Sequence, residues 1–428
     1  MIATRLRANL AIAVTLLSLT CAASAEPVTL RVASWIDYGN AVHESGWHEI
    51  LDDFHKAYPE IRVELAAFSW SEYWEKVPIL LAGGDVDVLD MTLVEIPKYI
   101  EAGMLLDLTP YFERDLDPAD YYATSIDRGR WPWPDGRLYT IWTMMSPTIV
   151  YYNMNLFERA GLDHPGNEWT YTESIPEIAR KLLRDLNGDG VADQFGVAMG
   201  FNNSLTDRGG YGLGAVRLSF GASDYDETYS RFQLDTPENV AAMEYVYEFL
   251  RSGLTQPGIT VNTFLAGDLG IWFHSPWLAP RLAEGAHFQW QTAPVPTGPK
   301  GRWVPLHGNP SVAIAASTPH PEAAWTFVRF LIETQTPTRV VLEGNIPTRR
   351  DAAAEWLSIA EQQWPGFRSD AGRISLESSV FTPAISPRQP EANNVIVAQL
   401  RRAQEGEIPI EAALAEATRL ANLILAGE

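Results

Sequence analysis

The sequence predicts an α/β fold built on mostly parallel sheets, and three observations predict it. Strand and helix signals alternate along the chain. The strand runs are short and rich in β-branched and apolar residues, and apolar residues at helical spacing separate them. The chain of 428 residues is long enough for two or three domain-sized units, each with its own core.

In chain order, Arg5 and Arg7 precede an apolar stretch from Leu10 to Leu19, and Ala23-Ser24-Ala25 has the small-x-small pattern of a signal peptidase site. Residues 1–25 therefore read as a signal peptide, with the mature protein beginning at Glu26 in the periplasm. The apolar stretch is well short of the roughly 20 residues that span a bilayer. Ser18-Leu19-Thr20 is a poor lipobox before Cys21, so the one cysteine leaves with the signal and the fold rests on a hydrophobic core without disulfides.

Val28 to Ala33 is the first strand. Trp47, Ile50, Leu51 and Phe54 share one face of a crossover helix that Tyr58-Pro59 stops. Ile61 to Ala67 is the second strand, Glu72 to Ala82 the next crossover, ended by Gly83-Gly84, and Val86 to Leu89 the third strand. A new segment begins at Arg137. Thr148 to Asn153 reads as a strand crossing between two lobes and leads into the helix Met154 to Ala160. Helices follow at Tyr171 to Asp185, Thr236 to Ser252 and Pro321 to Thr334, the second capped by Asp235 or Thr236 with Pro237 in its first turn. Pro294 to Gly301 is a turn and a candidate second crossing. Pro409 to Ala426 is an amphipathic helix with Ile410, Ala413, Leu414, Ala417, Leu420 and Ile424 on one face.

The formal charge is -22, and cleavage of the signal removes two arginines and no acids. Nucleic acid and anionic membrane are bound through basic patches, so the balance argues against both. The first three strands each run into aromatic and polar residues: Trp35, Asp37 and Tyr38; Trp70 and Tyr73; Asp90, Met91 and Thr92. In open parallel sheets ligands bind outside the carboxyl ends of the strands, which makes these clusters candidate ligand contacts. Core packing suits the same tryptophans, and a solvated surface or a helix cap suits the same acids.

Asp185, Asn187, Asp189 and Asp193 stand at positions 1, 3, 5 and 9 of a calcium loop, with Gly190 at position 6 and the Val191 carbonyl at position 7. Position 12 is Gly196 where a bidentate glutamate is usual, so one ligand has to come from elsewhere or from water. A structural calcium ion and a plain acidic turn both fit.

Several segments, in this order, carry a family resemblance: Leu30-Arg31-Val32 with Trp35, Phe54 to Pro59, Trp70 to Lys76, Ala82 to Val88, Tyr151-Tyr152-Asn153, Gly267 to Trp277 and Gly344 to Arg349. With them the mature chain resembles the bacterial extracellular solute-binding proteins of ATP-driven sugar importers, the family of the maltose- and glycerol-phosphate-binding proteins. The resemblance implies a type II two-lobed fold, with 26–147 plus 296–335 in one lobe and 148–295 plus 336–428 in the other. It implies a carbohydrate clamped between the lobes, the permease's transmembrane subunits and their ATPase as partners, and a monomer. By motif it adds Met145, Ser146, Ser275, Trp277, His307, Gly308, Asn309 and Arg349 to the candidate contacts. Two departures stand out: Leu269-Gly270-Ile271 replaces an Ala-Ala-Met-like run, and His307 replaces a glycine.

Such a site suits sugar chemistry. Flat aromatics, here Trp35, Trp70 and Trp277, cover C–H faces, and carboxylates, amides or arginine, here Asp37, Asp90, Asn309 and Arg349, bond hydroxyls. Arg349 with His307 also suits an anionic group on the sugar, while Arg349 equally suits an ion pair with a nearby acid. The rival class is an exported glycosidase or lyase with paired carboxylates in a Trp-lined cleft. Neither His43-Glu44 nor His48-Glu49 continues to a metalloprotease motif, there is no G-x-S-x-G elbow, and Gly210 to Ala215 lacks the strand that a dinucleotide loop requires. A polyamine or metal-ion binder on the same scaffold suits the negative charge, but the eight histidines are dispersed in the sequence.

Overall fold

The computed structural model describes residues 27–35, 41–93, 95–198, 210–256, 259–307, 311–334 and 344–427. The signal segment lies outside them. Two α/β lobes are each centred on a sheet, and a third sheet joins them. The first sheet has the order β2-β1-β3-β11-β4, from β1 (Val28–Trp35), β2 (Ile61–Phe68), β3 (Val88–Met91), β11 (Ser311–Ile314) and β4 (Thr140–Trp142). β1 is parallel to β2 and β3, while β11 runs antiparallel to β3 and β4.

Strand alternation sorts this lobe's core into two layers. Leu30 and Val32 of β1, Val88 of β3 and Val312 and Ile314 of β11 face the helices Ala41–Ala57 and Pro321–Glu333. Phe54 locks those two helices together through edge contacts with Phe327 and Phe330 at 4.9 and 5.1 Å. Ala33, Leu89 and Ala313 face the other way, onto Tyr73, Val77 and Leu81 of helix Trp70–Gly83. That helix begins in a capping box between Ser69 and Glu72 and ends at Gly84, whose φ of 67° lets its amide reach back to Leu80 and Leu81.

The second sheet has the order β9-β6-β8-β7, from β6 (Ile149–Asn153), β7 (Phe195–Ala198), β8 (Leu269–His274) and β9 (Trp290–Ala293). Every residue of β6, β7 and β8 is buried. The run at 149–153 is thus an interior strand of the second lobe and not the crossing expected there. The crossing falls one strand earlier, in a sheet of order β12-β5-β10-β13: β5 (Met144–Pro147), β10 (Val304–His307), β12 (Ile346–Pro347) and β13 (Ser379–Val380). The segment 294–301 is a turn, and the return path is β10.

Helix Ser174–Leu182 lies so close to β7 and β8 that a Cβ on Gly270 would overlap the Leu182 side chain and the Gly196 carbonyl. Gly270, a departure from the family run, is therefore a packing requirement of this chain. The expected cap at Thr236 is present, its side chain accepting from Asn239 N. The C-terminal helix Ile410–Ala426 buries Ile410, Ala413, Leu414 and Ala417 beside Met243 and Val246, in the core of the second lobe.

Candidate ligand-binding site

The carboxyl ends of β1 and β3 carry the first cluster. Trp35 stands on the face of β1 that meets helix Trp70–Gly83, where its ring lies 5.1 Å from Trp70 and from Tyr73, both edge-on, and 5.6 Å from Trp74. Trp35 is half-buried and Trp70 is 55% exposed. Two aromatic faces are thus held at the surface by a buried support.

Tyr73 is that support. It is fully buried, and its hydroxyl donates to the Asp90 carbonyl at 2.6 Å, so it serves as wall and not as a ligand contact, contrary to the expectation from sequence. Burial pushes its pKa well up, with Asp90 adding to the shift. Asp90 itself is 6% exposed, accepts from Ser34 Oγ at 2.5 Å and from the Trp35 amide, and has no cation beside it among the described residues. Burial pushes its carboxyl up to about 7, against the lowering by those two hydrogen bonds. Thr92 is half-buried, and its carbonyl accepts from Glu95 N and Ile96 N at the start of the next helix.

The second cluster gathers where β8 ends and β6 begins. His274 closes β8 opposite Ile149, and Ser275 and Trp277 follow. Tyr211, the first residue of helix Tyr211–Ser219, stacks on His274 at 4.6 Å and leans on His307 at 3.8 Å. Its hydroxyl receives the Trp277 indole N–H at 3.3 Å and reaches Ser275 Oγ at 3.4 Å. Trp277 stands edge-on to His274 at 4.3 Å and stays 37% exposed, the aromatic surface of this lobe. Gly344 fixes its position: with φ of 70°, a Cβ there would overlap the Trp277 backbone.

His307 Nε2 lies 2.9 Å from Thr148 Oγ1. Burial lowers the His274 pKa to about 3, and burial, His274 and Arg128 together hold His307 well below its ordinary value. Both imidazoles are therefore neutral at neutral pH. Two histidines that are dispersed in the sequence meet here through Tyr211.

The crossing sheet contributes less than expected. Ser146 is buried and donates to Asn345 Oδ1 at 2.8 Å, which presents that amide at the seam of the lobes. Met145 is fully buried and pairs with Ile346 in the core, so it is packing and not a contact. Arg349 is also displaced from the expected role: its guanidinium pairs with Asp351 at 2.7 Å and with the Glu333 carbonyl at 3.1 Å, because it starts helix Arg350–Gln363 beside its own acid. Asp37, Tyr38, Gly308 and Asn309 lie outside the described residues.

Sequence reading missed Tyr211, His274, Thr148, Asn345 and Trp74. His274, Thr148 and Asn345 adjoin or sit inside motifs that were singled out, so local signal existed for them. Trp74 sits inside Trp70 to Lys76, and Tyr211 inside Gly210 to Ala215, a run that reads only as a poor dinucleotide loop because the role of Tyr211 comes from what folds against it.

The acidic loop folds on itself. Asp185 accepts from Gly188 N and Gly190 N, Asn187 from Asp189 N, and Asp189 from Val191 N. Asp193 accepts from Leu186 N, Asn187 N and Asn187 Nδ2. The Gly190 amide leads the causes that lower the Asp185 carboxyl. Among the described residues no group of three His, Cys, Asp or Glu side chains converges to hold a metal ion.

Comparison with known proteins agrees with the two-lobed fold. Residues 40–336 match the model of a family described as bacterial extracellular solute-binding protein. A putative binding protein of Brucella abortus (strain 2308) is 23% identical over 364 residues, which is 81% of this chain and 82% of that protein. An ABC substrate-binding protein of Listeria monocytogenes, solved in complex with cycloalternan, superposes with a TM-score of 0.76 at 20% identity, covering 94% of this chain and 99% of that one. The sugar-binding protein MalE of Xanthomonas citri gives a TM-score of 0.75 at 20% identity, covering 94% and 98%. At these identities the superpositions speak for the fold.

Proposed function

The chain belongs to the bacterial extracellular solute-binding protein family, and from that membership we propose that it captures a carbohydrate between its two lobes and presents the closed form to the transmembrane subunits of an ATP-driven importer. The observation that carries this reading is the pair of aromatic and polar clusters at strand ends, one on each lobe. Trp35 and Trp70 with Asp90 and Ser34 form one, and Trp277 and Tyr211 with Ser275, Thr148 and Asn345 near the seam form the other. A sugar's C–H faces match the rings, and its hydroxyls match the Asp90 carboxyl and the Asn345 amide, while the buried hydroxyls of Ser34, Ser275 and Thr148 hold the clusters from behind. The cycloalternan and the sugar-binding function of the structural neighbours support the carbohydrate class.

Closure follows from such an arrangement, because contacts from both lobes exist only when the clamp is shut and the solute thereby shifts the equilibrium. The protein acts as a monomeric periplasmic receptor without catalysis. Among the described residues no helix is long and apolar enough to cross a membrane. A glycosidase would need a second carboxyl facing Asp90. We also propose a structural calcium ion at 185–193, supported by the position pattern, which would have to draw Asp193 away from the Asn187 side chain.

A thermal-shift and calorimetry screen of the mature protein against sugars and polyols, with and without a calcium chelator, tests the reading. A ligand at about 100 times its dissociation constant should stabilise by about 2.7 kcal/mol and be recovered chemically unchanged. A sugar that is consumed would make the protein an enzyme. A melting temperature indifferent to calcium and chelator would remove the metal.

A further inference from the structure

We propose that the solute is an anionic carbohydrate whose carboxylate or phosphate docks against Arg128, at the seam between the first sheet and the crossing sheet; this rests on the solute-binding reading above. Arg128 follows the short helix Ala123–Asp127 and is 2% exposed. Its guanidinium lies over the Trp142 ring at 3.8 Å, and one Nη donates to the His307 carbonyl at 3.2 Å, the last carbonyl of β10. His307 in turn rests on Tyr211, so the charge sits behind the same cluster that presents Trp277.

No acid balances this charge among the described residues. Asp127, its neighbour in sequence, pairs with Arg130 at 3.5 Å. Asp90 pairs across the sheet with Val312, whose strand neighbour Ile141 shares its face, while Trp142 lies on the opposite face with Ser311 and Met91. His307 and His274 are neutral and supply no counter-charge. Burial alone lowers the Arg128 pKa, to about 9, which leaves it protonated at neutral pH.

The groups around it are short of acceptors. Among the described residues Arg128 Nε and Trp142 Nε1 are buried without a hydrogen-bond partner, and so is Thr140 Oγ1, two residues from Trp142 and on the same strand face. An indole N–H and a guanidinium N–H can only donate. A buried cation is costly unless it is paired and its donors are satisfied, and one anionic oxygen group meets both needs. Arg349, the arginine expected for this task, is already paired with Asp351.

The test is calorimetry on the mature protein with matched ligands: glucose against glucuronate and glucose 6-phosphate, galactose against galacturonate, glycerol against glycerol 3-phosphate. Wild type should bind one acid or phosphate at least about 30-fold more tightly than its neutral counterpart, the scale for a buried charge pair. The arm that responds tells carboxylate from phosphate. Arg128→Met should abolish the preference and melt no lower than wild type when unliganded, since it removes an unbalanced charge; a merely structural arginine would lower the melting temperature and leave the preference intact. Should the Met variant not fold, Arg128→Lys with wild type decides, a retained but weaker preference supporting the proposal. A neutral sugar bound as tightly as its acid overturns the anion and leaves the carbohydrate reading standing. Binding of none of these or of any other carbohydrate overturns both.

Discussion

Replacing Asp90 by Asn should change how stability depends on pH more than it changes the fold. The folded carboxyl titrates near pH 7, because burial penalises its charged form more than Ser34 and Trp35 support it. An unfolded aspartate titrates near about 3.9. Below that pH both states hold the proton and Asp90 costs nothing. As pH rises toward 7 the unfolded chain loses its proton while the folded one keeps it, so stability falls, and above 7 the loss is complete. A difference of about three pH units at about 1.4 kcal/mol each sets the cost at up to about 4 kcal/mol. Asn carries no such penalty and still accepts from Ser34 through its Oδ1. Urea unfolding of both proteins at pH 4, 5, 6, 7 and 8 should therefore show a gap in favour of Asp90→Asn that opens across this window and then stays level. A gap that is constant from pH 4 to 8, or wild-type stability that rises relative to the variant with pH, would refute the burial argument. Ligand binding supplies a second readout, since a sugar hydroxyl donating to Asp90 favours the carboxylate and should release a proton near neutral pH.

The remaining predictions concern geometry. Gly344→Ala forces a Cβ into the Trp277 backbone at positive φ, so it should cost about 2 kcal/mol in thermal or urea unfolding and weaken ligand binding together. Tyr73→Phe removes the donor to the buried Asp90 carbonyl and should cost about 1–3 kcal/mol of stability while leaving the exposed Trp70 face in place. Arg349→Ala should leave solute affinity in calorimetry within about 2-fold of wild type, because its guanidinium is committed to Asp351 and the Glu333 carbonyl; a larger loss would return Arg349 to the site.

Much of the architecture was legible in the residues. Val28 to Ala33 and Ile61 to Ala67 lie within β1 and β2, Thr236 and Pro237 open a helix as their chemistry requires, and the apolar stripe Ile410-Ala413-Leu414-Ala417 is buried as one face. These are local properties: hydrophobic period, cap chemistry and turn residues act over a few positions, and the tertiary structure agrees with them. The crossing between lobes was less legible. Residues 144–147 and 149–153 are both short extended runs, and only their partners, β10 for one and β8 and β9 for the other, separate seam from core.

The site itself shows where sequence stops. From sequence alone, the strand ends supplied aromatic and acidic candidates, and Trp35, Trp70, Asp90 and Trp277 do stand at strand ends or just beyond them. Whether each is wall or contact was decided by what packs on it: Tyr73 is sealed beneath Trp35, Met145 is sealed against Ile346, and Trp277 is left open. The joining of Tyr211, His274 and His307, and the burial of Arg128 over Trp142 with no acid beside it among the described residues, come from segments far apart in the chain. Burial, charge balance and unsatisfied donors are properties of a whole neighbourhood in space, so no local pattern encodes them, and the tertiary structure alone settled which side chains face one another.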